Sequence, residues 1–356
     1  MTNDAHETFK LGEFTLPRLW TGLWQLSSNA WGTAPVSKIR QAMTRHVAKG
    51  YTAFADHSRV SQLTAVVFTR GLQADHYGAA EVIFGEFRHS LESPESIFGA
   101  TKYCVFKPTV VSEESVEAAV RQRMERMRTQ RVDLLQFHWY DYANPDYVKV
   151  IEMLAQLKAQ GLIAAIGLCN FDTLHTDEIC ARFPGIIVSN QIPFSVVDTR
   201  ALHGLVEVST KHGIKLLTYG TLCGGFLADK WIGQVEPDPY SGSLNPSQRK
   251  YLDFIVKAWG SWALFQELLI VLRGIGERRG GASVSNVATR WVLDHPAIGA
   301  VLVGVRLGCT EYPSDNLNVY SLDLTPTDRA EIEEVLARSA GRQLIETIGD
   351  CGAEYR

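Results

Sequence analysis

The sequence predicts a single (β/α)8 TIM barrel of the α/β class. Apolar runs with the length of strands alternate with amphipathic helical segments almost from end to end, and eight such repeats follow without a break in composition. A length of 356 residues is sufficient for one large barrel of this kind. Three polar residues, Tyr77, Lys102 and His138, follow three successive apolar runs. Because the chemistry of a TIM barrel collects at the carboxyl ends of its strands, this order predicts an active site there.

Periodicity and the residues that start and stop helices place the individual elements. Strands are predicted at 51–54, 97–101, 133–137, 163–167, 186–189, 214–219 and 300–303. Helices are predicted at 36–49, 79–88, 112–127, 146–160, 173–182, 200–212, 285–293 and 325–337. Gly50 and Gly161 end two of the helices, and Ser112 caps another whose first turn is acidic.

A doubly wound sheet is the alternative architecture. It requires a glycine-rich turn directly after the first strand, and residues 19–25 contain no such turn. The glycines between Gly274 and Gly281 follow a helical pattern at 264–273, so they predict the end of a helix and not a phosphate-binding loop. The closed barrel therefore remains the preferred architecture.

Composition limits the classes of partner. The chain is 46% apolar and 21% charged, with a net charge of −4, which gives no electrostatic reason to expect nucleic acid or an anionic membrane surface. No apolar stretch approaches the roughly 20 residues of a membrane helix, and the first ten residues are polar, so a cytoplasmic location is expected. The six cysteines are scattered without a Cys-x-x-Cys pair, so neither a metal site nor a disulfide framework is expected.

A long segment rich in aromatic residues follows the seventh barrel strand. It runs from about Asp229 to Gln266 and contains Trp231, Trp259 and Trp262. An excursion of this length on a barrel is usually functional, so we expect it to form a wall of the substrate cleft. A packed surface subdomain is the alternative.

Short motifs follow one another in a fixed order along the chain. They lie at 50–54 with 74–85, at 100–102, 134–139, 167–171, 189–191 and 219–222, and at 303–308 with 315–317. Together they resemble the signature of the aldo-keto reductase superfamily, over about residues 18–336. Each motif alone is weak, but seven in the correct order are specific. We expect one aldo-keto reductase barrel at 10–340, and the remaining tail at 341–356 is a candidate to close over the substrate pocket.

The resemblance assigns catalytic roles to the three polar residues. Tyr77 donates a proton to a substrate carbonyl that receives hydride from a reduced nicotinamide, Lys102 favours the phenolate, and His138 orients the carbonyl. Taken alone, a tyrosine beside glycine or a buried histidine is often a core residue. A lysine that ends an apolar strand is costly to bury unless it is paired, and it therefore indicates a site.

The same resemblance implies a dinucleotide site. The nicotinamide would lie on the ring of Tyr219, with its carboxamide held by Asn170 and Gln191, while Cys169 stands where the family has serine. Further cofactor contacts are expected from Gly220, Leu222, Gly304, Arg306, Asp315 and Asn316. A guanidinium binds phosphate through two hydrogen bonds, so Arg306 predicts recognition of a 2′-phosphate and NADPH in preference to NADH. A surface arginine in a loop is the alternative for Arg306.

The expected partner is a small-molecule substrate with a carbonyl group, an aldehyde or a ketone. Trp24, Trp139 and Tyr140, together with the aromatic excursion, predict a cleft for a bulky or aromatic molecule. Two alternatives keep the pocket without this activity. One is a nucleotide-binding barrel with weak or no redox turnover that serves as a regulatory subunit, and the other is a non-redox isomerase or dehydratase.

The carboxylate that should hold the lysine is displaced. The family places an aspartate five residues before the tyrosine, but Leu72 stands five residues before Tyr77, because about 17 to 19 residues are inserted after the second strand. Asp56 is the favoured substitute and Asp75 the second candidate. Three explanations stay open: Asp56 reaches Lys102 with the insert looped out, the insert has removed the carboxylate, or residues 60–73 are an unspliced intron in the gene model.

Overall fold

A computed structural model describes residues 6–27, 32–55 and 78–356. Eight parallel strands form a closed barrel, which confirms the predicted fold class. The barrel strands are β3 (Leu19–Gly22), β4 (Ala53–Ala55), β5 (Phe98–Cys104), β6 (Val132–His138), β7 (Ile163–Cys169), β8 (Ile187–Pro193), β9 (Lys215–Tyr219) and β10 (Ile298–Gly304), preceded by β1 (Thr8–Leu11) and β2 (Phe14–Pro17). The barrel closes where β10 pairs with β3.

Helices cover the outside of the barrel. They are α1 (Val36–Ala48), α2 (Gly78–His89), α3 (Glu113–Arg126), α4 (Asp146–Ala159), α5 (Thr173–Arg182), α6 (Leu205–His212), α7 (Pro246–Asp253), α8 (Trp262–Arg278), α9 (Val284–Leu293), α10 (Pro313–Leu317), α11 (Pro326–Leu336) and α12 (Leu344–Ile348). The predicted helix at 173–182 matches α5 at both ends, since Asp172 caps its first turn. Gly280 and Gly281 have positive φ and lie past the end of α8, as expected, whereas Gly274 and Gly276 lie within that helix, which continues beyond the predicted 264–273.

The register of the strands aligns polar residues at the carboxyl rim. Lys102 pairs with Gln136 across β5 and β6, and Cys104 pairs with His138. Further round the barrel, Cys169 at the end of β7 pairs with Gln191 in β8. Successive strands thus bring these side chains to the same end of the barrel.

The amino-terminal end of the barrel is covered by the β1–β2 hairpin, which the sequence did not predict. The Phe14 ring contacts the Phe98 ring edge-on at 4.9 Å, and Leu11 and Leu16 pack into the barrel interior with Trp20. Strands of four residues are too short to give a clear alternating pattern. The hairpin fills the end of the barrel opposite to the rim, so the rim is where a ligand can enter.

Two predicted elements differ from the structure. The predicted helix at 200–212 consists of a short turn, Arg200–Leu202, and then α6, because Gly204 with φ +113° breaks the helical path between them. The aromatic excursion is helical from α7 onward. A wider π-helical segment, Phe254–Trp259, joins α7 to the turn before α8, and it disturbs the regular helical spacing of apolar residues.

Most tryptophans of the excursion are core residues. Trp259 and Phe265 are fully buried, and Trp262 packs with them against the barrel helices.

In the described parts of the chain, no single helix is long and apolar enough to cross a membrane. The helical segments Pro246–Trp259 and Trp262–Arg278 are long and apolar enough only when they are taken together, and they are bent by 104° relative to each other.

Candidate active site

A cavity of about 550 Å³ opens at the carboxyl ends of the barrel strands. It brings together eleven of the residues that the sequence singled out: Trp24, Lys102, His138, Asn170, Tyr219, Gly220, Leu222, Gly304, Arg306, Asp315 and Asn316. Its lining residues extend from the ends of strands β5 to β7 to the loop after β10. The cavity therefore has two ends, which we call the nicotinamide end (around Lys102, His138, Asn170 and Tyr219) and the adenosine end (around Arg306, Asp315 and Asn316).

Lys102 lies in β5 and is only 3% exposed. Its side chain points into the barrel because alternate residues of a strand face opposite sides, and Phe98 and Ala100 share its side. Arg123 of α3 donates a hydrogen bond from Nε to the Lys102 carbonyl oxygen at 2.7 Å, which holds the strand end in place. A buried ammonium at this position is suited to act on a neighbouring acid.

His138 ends β6, and its ring is buried in the same cavity. Nδ1 lies 3.0 Å from the Cys169 carbonyl oxygen, which can only accept, so Nδ1 carries the proton. Burial lowers the pKa of His138 to about 4, although the carbonyl groups of Cys169 and Tyr355 oppose the shift. The ring is thus neutral at pH 7, and with the proton on Nδ1 the second ring nitrogen, Nε2, is an acceptor.

Asn170 and Tyr219 form the floor of the nicotinamide end. The Tyr219 hydroxyl donates to Asn170 Oδ1 at 2.9 Å, and Asn170 adopts the left-handed backbone conformation with φ +59°. Burial, together with the nearby Tyr355 phenol, raises the pKa of Tyr219 well above its usual value, so this phenol stays protonated. Burial also raises the pKa of Cys169 to about 12, so the cysteine that replaces the family serine is a neutral thiol.

Gln191 offers a test of whether a nicotinamide carboxamide fits. The side chain is fully buried in β8, and its Nε2 donates to Gln136 Oε1 at 3.2 Å. Its Oε1 has no hydrogen-bond partner in the part of the chain that the structure describes. A buried acceptor without a donor is costly, and a carboxamide N–H₂ is a suitable donor for it. Of the two predicted carboxamide ligands, Asn170 lines the cavity, whereas Gln191 is fully buried and is not among the lining residues that the structure describes. The fit to the group therefore rests on the chemistry of these amide side chains and not on a Gln191 side chain that is open to the cavity.

Two glycines leave room along the cavity between its ends. Gly220 has φ +72°, and an added Cβ there would lie 2.1 Å from the Tyr251 hydroxyl oxygen. Gly224 has φ +66°, and its backbone approaches that of Ser247. Side chains at these positions would close the space between the turn after β9 and α7.

The adenosine end is more open. Arg306 is exposed and donates from Nη2 to Thr310 Oγ1 at 2.8 Å, within a tight turn in which the backbones of Arg306 and Thr310 are bridged. Asp315 is exposed and accepts a hydrogen bond from Ser283 at the start of α9. Glu311, which sequence reasoning missed, also lines this end and pairs with His46 at 2.9 Å.

Trp139 and Tyr140, expected in the substrate pocket, do not line the cavity that the described residues form. Trp139 is fully buried on the outer side of β6, with its indole N–H donating to the Asp141 and Asn144 carbonyl oxygens. Tyr140 packs beside it at 5.1 Å. Because side chains alternate along a strand, the residue after His138 must point away from the barrel interior. Applied to the sequence, this alternation would have placed Trp139 outside the barrel interior.

The cavity contains residues that the sequence analysis did not select. Phe106, Lys250, Tyr251 and Tyr355 line it, and Lys250 donates to the Tyr355 hydroxyl at 2.8 Å. They come from the excursion, the loop after β5 and the C-terminal tail, where no local pattern marks them. The other predicted catalytic residues, Tyr77 and Asp56, and the second candidate Asp75 lie outside the described residues.

Comparison with known proteins defines the class. The family model described as "Aldo/keto reductase family" matches residues 18–337, and the chain therefore belongs to this family of oxidoreductases. This result confirms the resemblance that the motifs indicated.

Particular relatives are distant. The aldo-keto reductase YhdN of Bacillus subtilis (strain 168) is 25% identical over 299 residues, which cover 81% of each chain. Flagellar radial spoke protein 5 of Chlamydomonas reinhardtii is 26% identical over 300 residues, which cover 71% of this chain and only 56% of that protein. Among solved structures, the glycerol dehydrogenase AKR11B4 from Gluconobacter oxydans superimposes with a TM-score of 0.72 at 21% identity, covering 96% of this chain and 97% of the other. An aldo-keto reductase from Klebsiella pneumoniae in complex with NADPH gives a TM-score of 0.66 at 16% identity, covering 93% and 95%.

Proposed function

We propose that this protein reduces an aldehyde or ketone to an alcohol with NADPH, or runs the reverse oxidation. The observation that carries the proposal is a buried lysine, Lys102, in one cavity with the neutral ring of His138, which continues to the exposed guanidinium of Arg306. NADPH, when bound, supplies the hydride that reduces the carbonyl carbon. Gln191 and Asn170 hold the carboxamide, and Arg306 holds the 2′-phosphate.

The proton that completes the alcohol comes from Tyr77. His138 is unsuited to this role, because its only proton is engaged by the Cys169 carbonyl oxygen and its Nε2 is an acceptor. Lys102 stabilises the phenolate that Tyr77 becomes. His138 Nε2 then accepts a hydrogen bond from the hydroxyl of the alcohol and keeps it oriented. Asp56 serves as the carboxylate that pairs with Lys102.

The substrate is an apolar or aromatic carbonyl compound. At the nicotinamide end the apolar lining comes from Trp24, Phe106 and Tyr355, which offer aromatic surface beside the catalytic groups. Trp24 was expected here, and Phe106 and Tyr355 take the place of the expected Trp139 and Tyr140. An aromatic aldehyde is therefore the first substrate to test.

A second candidate is a nucleotide-binding barrel without turnover. One similar protein is named Flagellar radial spoke protein 5, a name that does not describe an oxidoreductase. This name supports a barrel without turnover as the second candidate. The two functions share the dinucleotide site and differ in whether a proton donor and a carboxylate reach Lys102.

The experiment is steady-state oxidation of NADPH with a panel of aldehydes and ketones, for wild type, Tyr77→Phe and Asp56→Asn. Turnover by wild type that falls by about 10²- to 10⁴-fold in Tyr77→Phe supports the reductase with Tyr77 as acid. A parallel loss in Asp56→Asn assigns the carboxylate. Tight NADPH binding without oxidation of any carbonyl compound would instead favour the non-catalytic barrel.

A further inference from the structure

The C-terminal segment, residues 349–356, lies beyond the residues that the family model covers and is fixed against the nicotinamide end. Its anchor is Arg200, whose side chain is fully buried. Arg200 donates to Asp198 at 2.9 and 2.8 Å and to Glu354 at 3.0 and 3.1 Å. It also donates to the carbonyl oxygens of Gly349 and Asp350, both at 3.2 Å. A single buried cation thus ties the segment to the loop after β8.

A second attachment fixes the segment beside the turn that contains Asn170. The Asp350 carboxylate accepts a hydrogen bond from the Thr173 backbone N–H at 2.8 Å, at the first residue of α5. Gly352 has φ +82°, and an added Cβ there would lie 2.3 Å from the Asn170 carbonyl oxygen. The backbone of the segment therefore lies directly against the backbone of Asn170.

Arg356 completes the contact. Its Nη1 donates to the carbonyl oxygen of Asn170, and its guanidinium lies 4.4 Å from the centre of the Tyr142 ring and 3.7 Å from Asp172. Asn170 has the left-handed backbone conformation, in which asparagine is enriched although most other residues with a Cβ rarely adopt it. The contacts of the segment stabilise this conformation further. On the other side, the Asn170 N–H donates to the Gln191 carbonyl oxygen at 2.9 Å.

We propose that Arg356 is a positioning residue for nicotinamide binding, because it holds Asn170 in the left-handed conformation that directs its amide toward the carboxamide. This inference rests on the proposed function, since it assumes that Asn170 binds the cofactor. Arg356 acts through Asn170 and touches no reacting atom. It therefore affects the nicotinamide half of the cofactor and leaves the adenosine half, at the other end of the cavity, unaffected.

The test compares two ligands on the full-length protein. Dissociation constants for NADPH and for adenosine 2′,5′-bisphosphate, which lacks the nicotinamide half, are measured by calorimetry for wild type and Arg356→Ala. Losing a hydrogen bond from a charged donor should weaken NADPH binding by about tenfold and leave the bisphosphate within about twofold. Arg356→Lys, which keeps a charged donor, should recover part of the loss.

Arg342→Ala is the matched control, because Arg342 is an exposed arginine in the same terminal region. It should change neither constant. Thermal unfolding of each variant checks that the barrel is intact. Equal affinity of wild type and Arg356→Ala for NADPH would overturn the inference, and so would an equal loss for both ligands, which would indicate general damage to the groove. A wild type that binds neither ligand would refute the proposed function itself.

Discussion

The two ends of the cavity are built in different ways. At the nicotinamide end, Lys102 and His138 are buried on barrel strands, where the Arg123 guanidinium holds the Lys102 carbonyl and the Cys169 carbonyl holds the His138 ring. At the adenosine end, Arg306 is exposed on a loop and donates to the Thr310 hydroxyl, and Asp315 is exposed on α10 and accepts from Ser283 and Asn318. Buried polar groups on strands are pre-organised, whereas exposed charges are screened by water and salt. Substitutions at the two ends should therefore differ in the size of their effect and in the property that they change.

Lys102→Met should give the largest effect. Removing the ammonium leaves the phenol of Tyr77 without a field that favours its ionised form, so kcat for carbonyl reduction should fall by about 10²- to 10⁴-fold, with the NADPH dissociation constant changed by less than about threefold. Steady-state kinetics and a fluorescence titration measure the two quantities. Lys107→Met, the same change at an exposed lysine, is the control. A Lys102→Met protein with wild-type kcat would show that the nicotinamide end is not the catalytic centre.

His138 should make stability depend on pH. Its pKa is about 4 in the folded protein, below the ordinary value of 6.5, so the unfolded chain binds a proton that the folded chain refuses between these pH values. The contribution of the neutral His138 ring to the free energy of unfolding is therefore fully present above about pH 6.5 and is lost as the pH falls toward 4. When the pH falls from 7 to 5, the free energy of unfolding should decrease by about 2 kcal/mol less in His138→Asn than in wild type.

Urea unfolding at the two pH values measures this difference. Burial also lowers the pKa of His46 and His295, but both are present in wild type and variant, so their effect cancels. Identical losses in the two proteins would mean that the His138 ring is not held neutral by burial.

Arg306→Ala should give the smallest effect and a selective one. Losing one exposed guanidinium should weaken NADPH binding by about tenfold and leave NADH binding nearly unchanged, because only NADPH carries the 2′-phosphate. Titrations with both dinucleotides at low and moderate salt measure it, and the NADPH loss should shrink as salt rises. A similar loss for NADH would assign Arg306 to the shape of the loop and not to phosphate recognition.

The sequence was informative where a local pattern specifies both an element and the face of a side chain. The apolar runs before Lys102 and His138 predicted that the two residues follow neighbouring strands, and the strand register brings them to one rim, although β5 continues two residues past Lys102 to Cys104. The same alternation, applied one residue further, would have excluded Trp139. The excursion was harder, because a π-helical segment and the turn at Gly260 break the periodicity on which a helix prediction depends.

The sequence by itself determined the class of fold, the family and the rim residues of the nicotinamide end, because strand and helix periods are local and repeat eight times around one barrel. Only the tertiary structure decided what surrounds those residues. Arg356 and Asn170 are 186 positions apart, and Lys250 and Tyr355 are 105 apart. Contacts of this kind arise when the closed barrel brings its loops and tail to one end, and no pattern within either segment encodes them.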